Sequence, residues 1–413
     1  MRPRMPCPCD ERRHWPCLSH YVLNGWQASP TRSRDLRIDW LRGLAMTCVI
    51  VNHSRMSSLL SWFSYERLWV VTAAEVFVVL SGTVIGMVYG RRLARDGWYA
   101  VVRGLGRRAL TLYLAFIVVT LSVLVISVAG IDVRSITTSG DRTIGWFLDP
   151  RTMNAAAWRD VALMRQGPWP FEIVALYVWL VAAAVPCMIA LHFAGWRPLL
   201  AASWLLYLSY RIAPHRLTSA DFETVFPILA WQLLFVHGIA IGFHRDRISA
   251  FVARCPRIVP LVGAGASAAF LVFAMCNPWM DGPTWLPWNI VSAEQFSYLY
   301  TRYFALSDLG VGRLLNLAVA LPLAYAALTW CWTIARPFKF VFVTLGQQSL
   351  GAFMLHVYGI LLLANVPHVD EFWTNTLLQL MLIVTIAAVL NGAQYVHVSR
   401  RPRMLVPAQP LAA

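Results

Sequence analysis

Residues 69–89 read WVVTAAEVFVVLSGTVIGMVY, an apolar run broken by a single charge, Glu75. About twenty such residues suffice for a helix to cross a bilayer. The run before it is built alike. It opens Arg37-Ile-Asp39-Trp-Leu-Arg42-Gly43 and, with ten residues between it and Arg42, carries His53. Ionisable groups inside such segments are costly and usually serve function, so these two runs frame both the fold and the site.

The rest of the chain agrees. Of its 413 residues 58% are hydrophobic and 13% charged, far from soluble composition. The pattern predicts an all-α, polytopic helical membrane bundle with ten candidate spans: 38–58, 69–89, 108–130, 171–191, 197–211, 225–243, 257–277, 313–335, 341–363 and 373–396. A membrane barrel would instead show short alternating strands. The net charge of +15 does not signal nucleic acid, because the arginines are scattered among apolar spans and form no compact basic face.

Most basic residues fall in alternate connections, which sets orientation by the positive-inside rule. Both termini are then cytoplasmic, with residues 1–36 an N-terminal tail, 37–397 the membrane domain and 398–413 a C-terminal tail. Cys7, Cys9 and Cys17, near His14 and His20, fit no standard zinc spacing, and no metal is expected. Residues 1–36 lack the apolar core of a signal peptide. Two long outer loops, 131–170 and 278–312, hold Trp146, Trp158, Trp169, Trp279, Trp285 and Trp288, which read as interfacial anchors or as a sugar-stacking surface.

Depth, at ~1.5 Å per residue, groups the polar residues. His53, Glu75 and His356 fall at one level near the outer side. A carboxylate beside an imidazole fixes its tautomer and stabilises its charged form, so His53 and Glu75 are the candidate catalytic pair. The alternative is a Glu–His pair that only ties two helices together. Asp39 and Arg42 share a helix face near the cytoplasmic mouth. With Arg37 they are candidates to hold an anionic cofactor, or else form a helix-start ion pair. Trp231, Gln232 and Ser349 add polar lining that suits a substrate cavity between helices. Ser81 and Gly82 read as a close-packing contact, and no Ser or Cys sits in a nucleophile motif.

Four blocks together resemble a known family: Arg37-Ile-Asp39-Trp-Leu-Arg42-Gly43, Ala74-Glu75 through Gly90, Pro227-Ile-Leu-Ala-Trp231-Gln232-Leu-Leu-Phe235, and Leu345-Gly346-Gln-Gln-Ser349-Leu350-Gly-Ala-Phe353-Met-Leu-His356-Val. From about residue 34 to 397 the chain is similar to OpgC-type proteins, the osmoregulated periplasmic glucan succinyltransferases. These are related to the acyltransferase-3 membrane enzymes, in which a basic residue, ten positions and a histidine recur. The resemblance implies that His53 is the catalytic histidine, that cytoplasmic acyl-CoA is the donor, with no tightly bound cofactor, and that an extracytoplasmic glycan is the acceptor. It implies a multi-pass protein of the bacterial inner membrane. Two alternatives remain at this point: acylation of a capsule, lipopolysaccharide or cell-wall sugar, and a glycan transporter, against which no inverted repeat is evident.

Overall fold

The computed structural model describes residues 34–64, 66–256, 258–279, 288–367 and 370–399. Residues 1–33 and 400–413 of the expected tails, with the Cys/His cluster, lie outside these residues, as does Trp285. The described chain is almost entirely helical: α1 Leu36–Ser54, α2 Ala73–Val128, α3 Glu172–Phe193, α4 Trp196–Ile212, α5 Ile228–Phe243, α6 Arg245–Val252, α7 Ile258–Met275, α8 Val311–Trp330, α9 Lys339–Gln347, α10 Ser349–Asn365 and α11 Phe372–Ser399. Among the described residues the sheet is one small antiparallel hairpin, β1 Thr138–Ser139 and β2 Arg142–Thr143.

Each of the ten expected segments overlaps a helix, yet five helices are long and apolar enough to cross a membrane, or up to seven if each bent pair is one span. The shortfall has physical causes. Helix α2 carries two expected segments as one 56-residue element, turning at Gly97 with φ 74°. Unbent, it would reach ~84 Å at ~1.5 Å per residue, against a hydrocarbon core of ~30 Å. Helix α1 holds three charges in 19 residues, and α4 has 17 residues. The bent pairs are α5 with α6 at 80° and residues 332–347 with α10 at 93°. Apolar side chains such as Val118, Val125, Leu261, Leu377 and Met381 are more than half exposed, as lipid-facing helix surfaces are. The molecule is a helical membrane protein.

Two glycine seams set the inner architecture. Gly82 and Gly86 of α2 face Gly238 and Gly242 of α5, a small-xxx-small pattern on both sides. A Cβ placed on Gly238 would lie 2.3 Å from the Val79 carbonyl oxygen, and one on Gly82 would lie 2.3 Å from that of Phe235. The second seam joins α1 to α9, where a Cβ on Gly43 would lie 1.7 Å from the Phe342 oxygen and one on Gly346 would lie 1.8 Å from the Asp39 oxygen. The main apolar core runs between α1, α2, α3, α5 and α10.

A first expectation follows from the α2–α5 seam. Gly238→Val lowers the midpoint of thermal unfolding in detergent, because overpacking typically costs ~1–3 kcal/mol and here the obstacle is backbone. Gly263→Ala, where the added Cβ meets nothing within 4 Å, leaves the midpoint unchanged or slightly raised.

Candidate active site

The C-terminal end of α1 opens into a cavity of about 680 Å³ whose wall includes His53, Arg55, Arg142, Trp169 and Glu172. His53 lies in the last turn of α1, and Arg55 closes that turn in the left-handed conformation at φ 53°. The His53 Nδ1 lies 3.1 Å from Nε2 of His356, and the His356 Nδ1 lies 2.6 Å from the Phe353 carbonyl oxygen. A carbonyl can only accept, so the His356 Nδ1 carries a proton. The neutral ring's Nε2 then accepts, and the proton between the rings belongs to His53 Nδ1. The free lone pair of His53 therefore sits on Nε2. Among the described residues it meets no hydrogen-bond partner, and its ring borders the cavity.

Two aromatic contacts frame the imidazole. Trp169 meets His53 edge-on at 4.8 Å between ring centroids, and the Arg55 guanidinium lies 4.5 Å from the Trp169 ring. The hairpin opposes Ser139 to Arg142. The Arg142 guanidinium donates to Glu172 Oε1 at 2.5 Å and to the Asp221 carbonyl at 2.9 Å. At this rim, outside the bilayer helices, burial raises the Asp221 carboxyl above its ordinary value while Arg142 opposes the shift.

On the other side of His356 an aromatic stack leads toward the start of α1. Phe353 lies 5.6 Å from His356 and 5.3 Å from Phe77, Phe77 lies 5.7 Å from Tyr177, and the Arg42 guanidinium lies 5.0 Å from the Phe77 ring. Arg42 donates to Ser349 Oγ at 2.9 Å, a contact made available by the break between α9 and α10. It also lies 4.0 Å from Asp39, which pairs with Arg34 at 2.5 Å and accepts from Gln347 at 3.1 Å. Arg42 and His53 thus occupy one helix, separated by eleven residues, or ~16 Å of rise.

Not every residue singled out from the sequence lies here. Glu75 pairs with Arg313 rather than with His53. The Arg313 Nη1 donates to Glu75 Oε1 at 2.9 Å and its Nη2 to Glu66 Oε1 at 2.5 Å, with Tyr300 and the Phe304 carbonyl completing the cluster. The expected mid-span position is also corrected. Helix α2 begins at Ala73, and Glu75 forms a capping box with Thr72 in its first turn. Trp231 is fully buried, donating to the Ser307 carbonyl. Gln232 is saturated by Ser203 and the Leu229 carbonyl, so it ties α5 to α4. Neither Trp231 nor Gln232 lines the cavity. Arg37 turns to Asp35, Thr329 and the Tyr325 ring, joining α1 to α8 instead of meeting Arg42. Ser349 and His356 do join the site. Arg55, Tyr177 and Arg313 were not anticipated: Arg55 and Arg313 read as charges at span ends, and Tyr177 as one more ring in an apolar run. No group of three or more metal-ligating side chains occurs among the described residues.

The family model described as OpgC protein matches residues 34–398. Neither the curated proteins nor the solved structures include a match to the chain.

Proposed function

This chain belongs to the OpgC protein family, and on that premise we propose that it is a membrane O-acyltransferase that moves an acyl group, succinyl first, from cytoplasmic acyl-CoA to a glucan hydroxyl outside the inner membrane. One observation carries the reading: the Phe353–His356–His53 relay leaves an unprotonated Nε2 at the wall of a cavity large enough for sugar residues.

The steps balance. A sugar hydroxyl in the cavity gives its proton to His53 Nε2 as its oxygen attacks the thioester carbonyl carbon. The new C–O bond forms, the C–S bond breaks, and the imidazolium returns the proton to the departing thiolate. The products are a sugar ester and free coenzyme A. His356 holds the His53 ring in the tautomer that accepts this proton. Trp169 offers an apolar face to a sugar ring, and Arg55 and Arg142 supply cationic donors at the rim. The donor enters from the Arg42 end of α1 and the acceptor from the His53 end. Glu75 serves this site through the anchoring of α2 and the 55–72 connector rather than through the imidazole.

The test uses the purified protein in nanodiscs, labelled succinyl-CoA and a neutral glucan. Label appearing on the glucan as an ester supports the reading. Glucan flux across proteoliposomes with no ester formed would favour the transporter instead. Within the same assay His356→Ala lowers kcat on the order of 10²-fold, the lower end of what a positioned base contributes, with the KM for succinyl-CoA within about twofold.

A further inference from the structure

Helix α11 turns three buried polar side chains toward one short stretch of chain. Asn375, Thr376 and Gln379 share a helix face and are 1%, 5% and 0% exposed. All three reach the turn that follows His53. Gln379 Nε2 donates to Ser54 Oγ at 2.7 Å and to the Met56 carbonyl at 3.4 Å, while its Oε1 accepts from Ser58 Oγ at 2.6 Å. Asn375 Nδ2 donates to the Ser57 carbonyl at 3.0 Å, and Thr376 Oγ1 accepts from the Leu59 N–H at 3.0 Å. One amide therefore grips the chain on both sides of Arg55, whose φ of 53° is uncommon for a residue other than glycine.

The two hydroxyls fix the direction of that amide. Ser54 Oγ gives its single proton to the Val51 carbonyl at 2.7 Å, so toward Gln379 it can only accept. Ser58 Oγ accepts from the Ser61 N–H at 3.1 Å and keeps its own proton for Oε1. The opposite side of α11 is seated on α10. Leu390 and Leu382 occupy the space a Cβ would take on Gly351 and Gly359, at 2.8 and 2.4 Å. Those glycines lie five residues before His356 and three after it. Helix α11 thus holds α10 on either side of one histidine and grips the turn just past the other. Its apolar contacts already dock it, and polar groups inside a membrane helix are costly, while hydrogen bonds between such helices add modest stability. What the polar face adds is the placement of residues 54–59.

We propose that Gln379, seconded by Asn375 and Thr376, is a positioning residue that braces His53 against His356 and so holds the 3.1 Å contact between the two rings. The inference rests on the acyltransferase reading above and deepens it. Gln379 touches no reacting atom. It acts through the turn that carries His53, whose Nε2 must meet the sugar hydroxyl within hydrogen-bond reach.

Initial rates with succinyl-CoA and glucan are measured on the full chain in nanodiscs, beside thermal unfolding. Gln379→Met, apolar and of similar length, lowers kcat per folded molecule about 10- to 10²-fold, as a small misplacement of a catalytic group does. The KM for succinyl-CoA stays within about twofold, because the donor enters from the opposite end of α1. Placed on His53→Ala, the same change costs little further activity, since a positioning residue acts only through the group it positions. A merely structural tie would lower folded yield and the unfolding midpoint and leave kcat per folded molecule unchanged. Ser54→Ala repeats the test from the other end of the clamp should Gln379→Met fail to fold, and Ser54→Thr, which keeps the hydroxyl, recovers most of the rate. A kcat within twofold of wild type in folded Gln379→Met and Ser54→Ala, or a Gln379→Met loss that adds in full to His53→Ala, overturns the proposal while the wild-type transfer stands. Absence of transfer in the wild type itself removes the acyltransferase reading, and the brace with it.

Discussion

His53→Ala lowers acyl transfer to glucan by about 10²–10⁴-fold, the contribution of a positioned general base, while the protein folds and melts as the wild type does. The side chain is half-buried at the cavity wall and makes one hydrogen bond, so little holding the helices together is lost. Its partner His356 keeps the bond to the Phe353 carbonyl, and the only new exposure is to the cavity. Adding His356→Ala to the first change then costs little more activity, because residues that act as one unit are strongly non-additive. Initial rates with succinyl-CoA, read beside thermal unfolding in the same detergent, check both halves. Near wild-type turnover in folded His53→Ala protein would reject the assignment.

Arg313→Ala has the opposite signature. The guanidinium is fully buried between Glu75 and Glu66, themselves 0% and 3% exposed. Removing it strands two carboxylates, and breaking a buried pair from one side costs ~3–5 kcal/mol. The connector 55–72, the start of α2 and the start of α8 meet at this cluster with its Tyr300 and Phe304 neighbours, so the loss loosens the cavity wall. The expected result is a large drop in protein recovered from membranes and a lower unfolding midpoint. Glu75→Gln, which keeps one acceptor oxygen for either Arg313 or the Thr72 N–H and leaves the Arg313–Glu66 pair in place, should be milder. Full recovery and an unchanged midpoint in Arg313→Ala would show that the cluster carries no stability.

The helical membrane architecture was legible because twenty-residue apolar runs leave few alternatives. The shared level of His53 and His356 was legible too, since residue depth along two helices that cross in the same direction is simple arithmetic, although their hydrogen bond was not. Glu75 misled for a definite reason. The apolar run continues upstream of Thr72, so hydropathy places the helix start at residue 69, but the Thr72–Glu75 capping box starts it at Ala73. A carboxylate read as mid-span is therefore an N-terminal one, and its counter-charge comes from α8, some 240 positions away in the chain. Hydropathy carries no information about such a pairing. Trp231 and Gln232 looked like cavity lining because polar atoms in an apolar helix invite that reading. Which way they face depends on α4, whose Ser203 consumes the Gln232 amide. The count of ten spans is not matched by the helices, because charge density in α1 and the bends at Gly97 and Gln348 leave five, or up to seven with the bent pairs, long and apolar enough to cross.

The crossing of Gly43 and Gly346 has a consequence for how the sequence can drift. A side chain at either position would strike backbone, not another side chain. Ordinary core positions forgive an enlargement when a neighbour shrinks; here nothing can shrink, so no single compensating change elsewhere restores the fit. The crossing also sits one residue from Arg42 and three from Ser349, the pair it brings within 2.9 Å. Selection on that contact is thus exerted through two positions that bear no functional group, and neither is open to rescue by epistasis.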